Sequence, residues 1–299
     1  MRIPFLQKQT DYGTYSYIEY FCYLTKHFFR SNRRFAELHN IMRKEQLTTY
    51  FQPIMDIQTG SCLGYEILNR PPFSEWFPNT DAFYEYIGTT NQVFAFELLC
   101  RELSVKRYCE ALQHSSMFEG CNVFLNVHPD VLRDTNHRSG ETIRHLQRYG
   151  LKPEQIVFEL TEKQAVEDFE AFKHVLSSYR EQGFRIAIDD VGSGYSSLKS
   201  IVSLNPEFIK LDRSLVQHID SRPDQQHVVK MLQEFAKSSG TFVIAEGIER
   251  LEELMFLQQQ RISYGQGYAL GRPSIALTHQ IIEQIVGQIQ PQQRKATNM

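Results

Sequence analysis

No run of apolar residues in this 299-residue chain is long enough to cross a bilayer. The nearest approach, "YSYIEYFCYLTKHFF", is short and broken by Glu19, Lys26 and His27. It reads as a helix burying one face, including Tyr17, Phe21 and Phe28, against the protein or a partner. The opening "MRIPFLQKQTDYG" lacks an apolar leader region, so no signal peptide is expected. An excess of one charge is missing too: 32 Lys and Arg face 35 Asp and Glu, leaving a net −3. That excludes a field aimed at a nucleic-acid polymer or an anionic membrane, and a nucleotide handled here is expected as a small molecule in a pocket. The five cysteines (Cys22, Cys62, Cys100, Cys109, Cys121) form no CxxC pair, and the ten histidines no HExxH. The cysteines are therefore read as reduced, small apolar core residues of a cytoplasmic protein, and a histidine-bound zinc site is not expected. Internal repeats, low-complexity tracts and long Gly/Ser linkers are also lacking.

What is present is a rhythm. Residues 14–46 have a helical pattern ending in the charged run "RSNRRFAELHNIMRKEQ". The segment "TTYFQPIMDIQTGSCLGYEILNR" reads as two strands around the turn Gln58-Thr59-Gly60. "DAFYEYIGTTNQVFAFELLCRELSVKRYCEAL" reads as one long helical stretch. Short strand-like runs then alternate with helix-length stretches: "NVFLN", "IVFEL", "RIAID", "EFIKL", "FVIAE" and "SYGQGYAL". Such alternation predicts parallel strands with helical crossovers, in an open doubly wound sheet or a (β/α)8 barrel. Nearly every strand run ends in a metal- or phosphate-binding residue: Glu66, Asn126, Glu159, Asp189 with Asp190, Lys210, Glu246, Gln266. A barrel brings the C-terminal ends of its strands to one mouth, whereas an open sheet spreads them along an edge. The barrel is therefore the reading, with residues 1–45 a helical extension, 46–288 the barrel and 289–299 a loose tail.

So many carboxylates in one place repel, by roughly 4 kcal/mol for two unit charges 4 Å apart at an effective dielectric near 20. Divalent cations remove the cost. An oxygen-only donor set with an Asn carbonyl fits Mg²⁺ or Mn²⁺, and adjacent aspartates suggest two ions with one bridging carboxylate. Two such ions serve an in-line displacement at phosphorus. Lys210 in the same mouth also opens a Schiff-base lyase reading, but that chemistry needs a lowered lysine pKa, and surrounding acids raise it. Gly192 and Gly194 lack the third glycine of a dinucleotide fingerprint and are read as turn glycines. Asp212, Tyr195 and Trp76 are given no role beyond packing or loop support.

"GYEILNR", "LNVHP", "FELTE", "IAIDDVGSGYSSL", "FIKLDRSLV", "VIAEGIE" and "YGQGYALGRP" resemble, in order, the motifs of the EAL-domain family of cyclic di-GMP-specific phosphodiesterases. The resemblance covers about residues 46–285. It implies a (β/α)8 TIM-type barrel with an early antiparallel strand, and hydrolysis of cyclic di-GMP to linear pGpG with Mg²⁺ or Mn²⁺. It makes Glu66, Asn126, Glu159, Asp189, Asp190 and Glu246 metal ligands, with Lys210 on the nucleophilic water and Glu249 and Gln266 supporting the metal–water network. It puts Arg70, Gln52 and Pro273 at the substrate and makes Glu162 the anchor of the loop 191–197, which implies a homodimer. Departures are Ile67 for the motif alanine, His128 where serine is common and Val191 where phenylalanine is common; none removes a ligand. A protein partner at the N-terminal helix stays open, as does the competing reading of a non-catalytic cyclic di-GMP receptor.

Overall fold

The computed structural model describes residues 22, 31–113, 120–128, 131, 140–161, 169–193, 201–202 and 204–278, except the side chains of 141, 145, 169–172, 174 and 175. The expectations for the earlier N-terminal residues, for Glu162 and Tyr195, and for the tail lie outside them. The chain divides into two compact units, Met1–Leu47 with Pro71–Phe83 and Thr48–Arg70 with Tyr84–Met299. In the first, residues 31–43 are helical, and Leu38 and Ile41 are fully buried. Arg34 donates to the Ala82 carbonyl (3.2 Å) and lies over the Phe77 ring, which meets Phe83 edge-on. The grouping of Pro71–Phe83 with the N-terminal segment has no counterpart in the sequence reading, which drew one continuous barrel from residue 46.

The second unit is a closed barrel of eight strands in chain order: β1 Thr48–Asp56, β2 Cys62–Arg70, β3 Asn122–Asn126, β4 Ile156–Thr161, β5 Arg185–Val191, β6 Phe208–Leu211, β7 Phe242–Ala245 and β8 Tyr264–Gly265. β1 runs antiparallel to both β2 and β8, and all other neighbours are parallel. This is the TIM-type barrel with an early antiparallel strand that the sequence predicts. The β1–β2 turn forms where expected, because the Asp56 carboxylate accepts the N–H groups of Gln58 and Thr59.

Two expectations about elements change. The long stretch after residue 80 is two helices, Thr80–Gly88 and Val93–Leu112. The hydroxyls of Thr89 and Thr90 bond back to the carbonyls of Tyr86 and Ile87, so Gly88-Thr-Thr stops the first helix. The "SYGQGYAL" run is extended only at Tyr264–Gly265, after which Leu270 and Gly271 fold back onto the Gly267 carbonyl.

Side-chain period explains how the barrel presents its site. Phe124, Val157, Ala187, Phe208 and Ile244 pack with Ile54 as a buried apolar layer, partly covered by Tyr264. Two residues further along the parallel strands come Asn126, Glu159, Asp189, Lys210, Glu246 and Gln266. Alternation puts residues i and i+2 on the same face, so an apolar layer carries a polar layer at the C-terminal end. β1 runs the other way, and its polar Gln52 accordingly comes two residues before Ile54. Gly64 occupies the apolar-layer position below Glu66, where a Cβ would strike the Asn122 carbonyl, so only glycine fits. No helix among the described residues is long and apolar enough to cross a membrane.

Candidate active site

Lys210 stands at the centre of the polar layer, 1% exposed. Its Nζ lies 2.7 Å from Glu159 Oε1, 2.7 Å from Glu246 Oε1, 3.4 Å from Asp189 Oδ1 and 3.6 Å from Glu66 Oε2. Glu66 is held from both sides: Asn126 Nδ2 donates to Oε1 (3.0 Å) and Gln266 Nε2 to Oε2 (2.7 Å). Seven strands thus deliver residues to one cluster. The eighth, β1, places Gln52 opposite Glu66 in register, with its side-chain amide on the Gly271 carbonyl.

Adjacent residues on a regular strand face opposite ways, so Asp189 and Asp190 need a device to share one side. The β5–β6 register shifts between Ile188 and Val191, and Asp190 is left-handed at φ 58°. Carboxylate oxygens of Asp189, Asp190 and Glu246 consequently lie within 4.8 Å of one another. Gly192 follows at φ 101°, where a Cβ would collide with the Leu215 side chain, as the turn-glycine reading expected.

The electrostatics follow from packing acids around one ammonium. Burial pushes Glu159 well above the usual carboxylate range, with neighbouring acids adding to the rise. Asp189 is raised mainly by burial. Burial and Asp189 bring Asp190 up to about 6, and burial with the other acids brings Glu246 up to about 8. Burial acts on Glu66 in the same direction, but Lys210 and the Gln266 and Asn126 amides together hold it below its ordinary value. Burial opposes the Lys210 charge, yet four acids outweigh it and raise the ammonium well above its ordinary value. Even so, one cation does not match these acids. Glu159 Oε2 is buried without a hydrogen-bond partner, while Oε1 is held by the Lys210 ammonium at 2.7 Å. Gln266 Oε1 is likewise buried and unpartnered. Orphaned oxygens in an oxygen-only, over-acidic cluster fit a divalent cation.

Arg70 is exposed at the end of β2. Pro273 is half-buried next to Ser274, which pairs through its backbone with Phe51, the neighbour of Gln52. Glu249 instead pairs with Arg213 at 3.0 Å, on the loop after β7, and makes no bond to the Lys210 cluster. Asp212, given no role from sequence, caps the Arg213–Val216 helix by accepting the Ser214 N–H.

Sequence reasoning missed the support behind β3. Glu97, buried on the Val93–Leu112 helix, accepts the backbone N–H of His128, two residues past Asn126 (2.9 Å). It also pairs with buried Arg101 (3.2 Å), whose guanidinium reaches Thr142 and Tyr179 and lies over Phe158. The His128 ring meets the Tyr84 carbonyl (3.1 Å), and the Tyr84 hydroxyl donates to the Asn69 carbonyl beside Arg70. The four-residue spacing of Glu97 and Arg101, in a helix that also carries Glu102, Lys106, Arg107 and Glu110, was the only sequence signal for this network.

Fold and site together define a TIM-type barrel with a reversed first strand and an acid-lined mouth whose oxygen donors suit divalent cations. The chain belongs to the EAL domain family, whose sequence model matches residues 36–273. It is 31% identical over 228 residues to the probable cyclic di-GMP phosphodiesterase PdeA of Escherichia coli, a match covering 76% of this chain and 30% of that protein. The chain spans less than half the length of PdeA and of the similar PdeB. A standalone EAL protein of Vibrio cholerae, solved in a c-di-GMP-bound form, is 27% identical with a TM-score of 0.66, over 78% of this chain and 94% of that one. Klebsiella pneumoniae BlrP1, solved as a manganese/cy-diGMP complex, is 28% identical with a TM-score of 0.63, over 77% and 56%.

Proposed function

We propose that this chain hydrolyses one phosphodiester of cyclic di-GMP, releasing linear pGpG, with Mg²⁺ or Mn²⁺ held at the barrel mouth. The observation that carries the reading is the gathering of Glu66, Glu159, Asp189 and Glu246 around Lys210, with Asp190 alongside. The cyclic di-GMP phosphodiesterase name of PdeA and the c-di-GMP-bound Vibrio protein support the substrate. Glu66, Asn126, Glu159, Asp189, Asp190 and Glu246 would hold two ions, with Asp189 shared. Bound there, the ions supply Lewis acidity to a phosphodiester and acidify water.

The side chains divide the remaining work. Lys210, kept charged by its acids, donates hydrogen bonds and orients the attacking water oxygen rather than taking its proton. The same raised pKa disfavours the Schiff-base alternative, which needs a neutral amine. Glu246, raised to about 8 by burial and the neighbouring acids, gives up its proton when it takes a cation. Gln266 and Asn126 fix the Glu66 carboxylate so that it need not reorganise during the reaction. Arg70 at the rim grips a substrate phosphate, flanked by Gln52 and Pro273. Glu249 joins the site by exchanging its Arg213 partner. A cytoplasmic homodimer, and a protein partner at the N-terminal segment, belong to the same proposal.

Incubation with cyclic di-GMP and Mn²⁺, followed by chromatography, tests it. Wild type yields pGpG, and Glu66→Ala slows the yield by about a hundredfold or more. Binding of cyclic di-GMP without product would instead establish the receptor reading.

A further inference from the structure

We infer that Cys62 and Cys121 form an oxidant-sensitive dithiol, a modification site closed to a disulfide by hydrogen peroxide or a small hydroperoxide. Cys62 opens β2, and Cys121 immediately precedes β3, its parallel neighbour, with Gly64 aligned on Asn122. Strict alternation would send Cys62 to the inner face with Gly64 and Glu66. The β1–β2 register shift between Ile54 and Met55, which leaves Leu63 as the extra residue, changes that. Leu63 packs against the inner apolar layer, and the Cys62 thiol turns outward to meet the Tyr65 hydroxyl and the Cys121 thiol. Cys121 Sγ also lies 3.8 Å from the Cys62 carbonyl. Adjacent strands with both thiols on one face suit the backbone separation that a disulfide needs. Both cysteines are half-buried rather than the core residues expected from sequence, as are Cys100 and Cys109, and Cys22 is exposed.

The two thiols are not equivalent. The hydrogen bond from Cys62 holds Cys121 below the usual thiol range, while the same bond and burial push Cys62 far up. In the proposed sequence Cys121 makes the first attack as its thiolate. Its sulfur attacks one peroxide oxygen, the O–O bond breaks and hydroxide leaves, giving a sulfenic acid. Oxidation removes the thiolate that kept Cys62 protonated. The Cys62 sulfur then attacks the sulfenic sulfur, the S–S bond forms, the S–OH bond breaks, and water leaves with the Cys62 proton. Two thiols and one hydrogen peroxide become one disulfide and two waters.

The test uses the full chain treated with hydrogen peroxide, alkylated, digested and read by mass spectrometry. Expected are linked peptides carrying Cys62 and Cys121, loss of both thiols per monomer without intermolecular crosslinks, and their return under dithiothreitol. Cys62→Ser is expected to leave a Cys121 sulfenic acid that dimedone traps. Unfolding of that variant is checked by circular dichroism, with Cys121→Ser as the second variant. Peroxide-treated wild type with both thiols still alkylatable, or with the disulfide joining other cysteines, overturns the proposal.

Discussion

Lys210 carries the electrostatic balance of the barrel mouth, since four acids converge on its ammonium and burial leaves no solvent to screen them. Removing one partner of a buried ion cluster costs about 3–5 kcal/mol because the others are stranded. Lys210→Ala should therefore melt well below wild type without metal at pH 8, and part of the loss should return at pH 6, where the acids can take up protons. An unchanged melting temperature would contradict this. A second prediction concerns protons. A carboxylate raised in the fold stabilises it below its unfolded pKa, and that contribution is lost as pH rises through the folded one. For Glu246 the window runs from 4.5 to about 8, and for Asp190 from 3.8 to about 6. Cation binding displaces those protons, so Mn²⁺ affinity measured by calorimetry should climb steadily from pH 6 to 8 and then flatten. A flat profile would show these acids already ionised.

Elements set where such residues point. The loop after β7 is fixed by Glu253, 1% exposed, whose carboxylate accepts the N–H groups of His218, Glu249 and Arg250. Glu253→Ala would leave three part-buried N–H groups without their carboxylate and cost about 1–2 kcal/mol, read as a lowered denaturant midpoint with unchanged slope. Behind β3, His128→Ala would cut the link to Tyr84 and loosen both Asn126 and Arg70. The expected outcome is reduced cyclic di-GMP turnover with a raised KM, with little change in melting temperature. Much at this scale was legible from sequence, because strand ends announce themselves by apolar runs stopping on Asn126 and Glu246. The β5 irregularity that aims two adjacent aspartates together was not. Neither was the helix break at Gly88, since helical period continues across it, nor the Glu97–Arg101 pair, whose partners come from distant segments. Glu249 matches its motif by position, but its pairing with Arg213 depends on how two loops meet.

At the scale of the whole molecule, one layer of apolar side chains supports one layer of acids, and closure of the sheet turns separate strand ends into a single site. Distant acids in the sequence form a cluster only because the barrel closes; strand order fitted an open sheet equally well, and the polar residues at the strand ends favoured the barrel. Metal removal acts at this scale: EDTA should abolish hydrolysis and lower the melting temperature, and Mn²⁺ should restore both. The most direct test of the central claim is calorimetric titration of metal-free protein with Mn²⁺ at pH 8. The account predicts saturable binding of two ions per chain, weakened at least tenfold in Asp189→Asn, which removes the negative charge of the carboxylate proposed to be shared. Wild type that takes up no Mn²⁺, or an Asp189→Asn variant that binds as tightly, would contradict it.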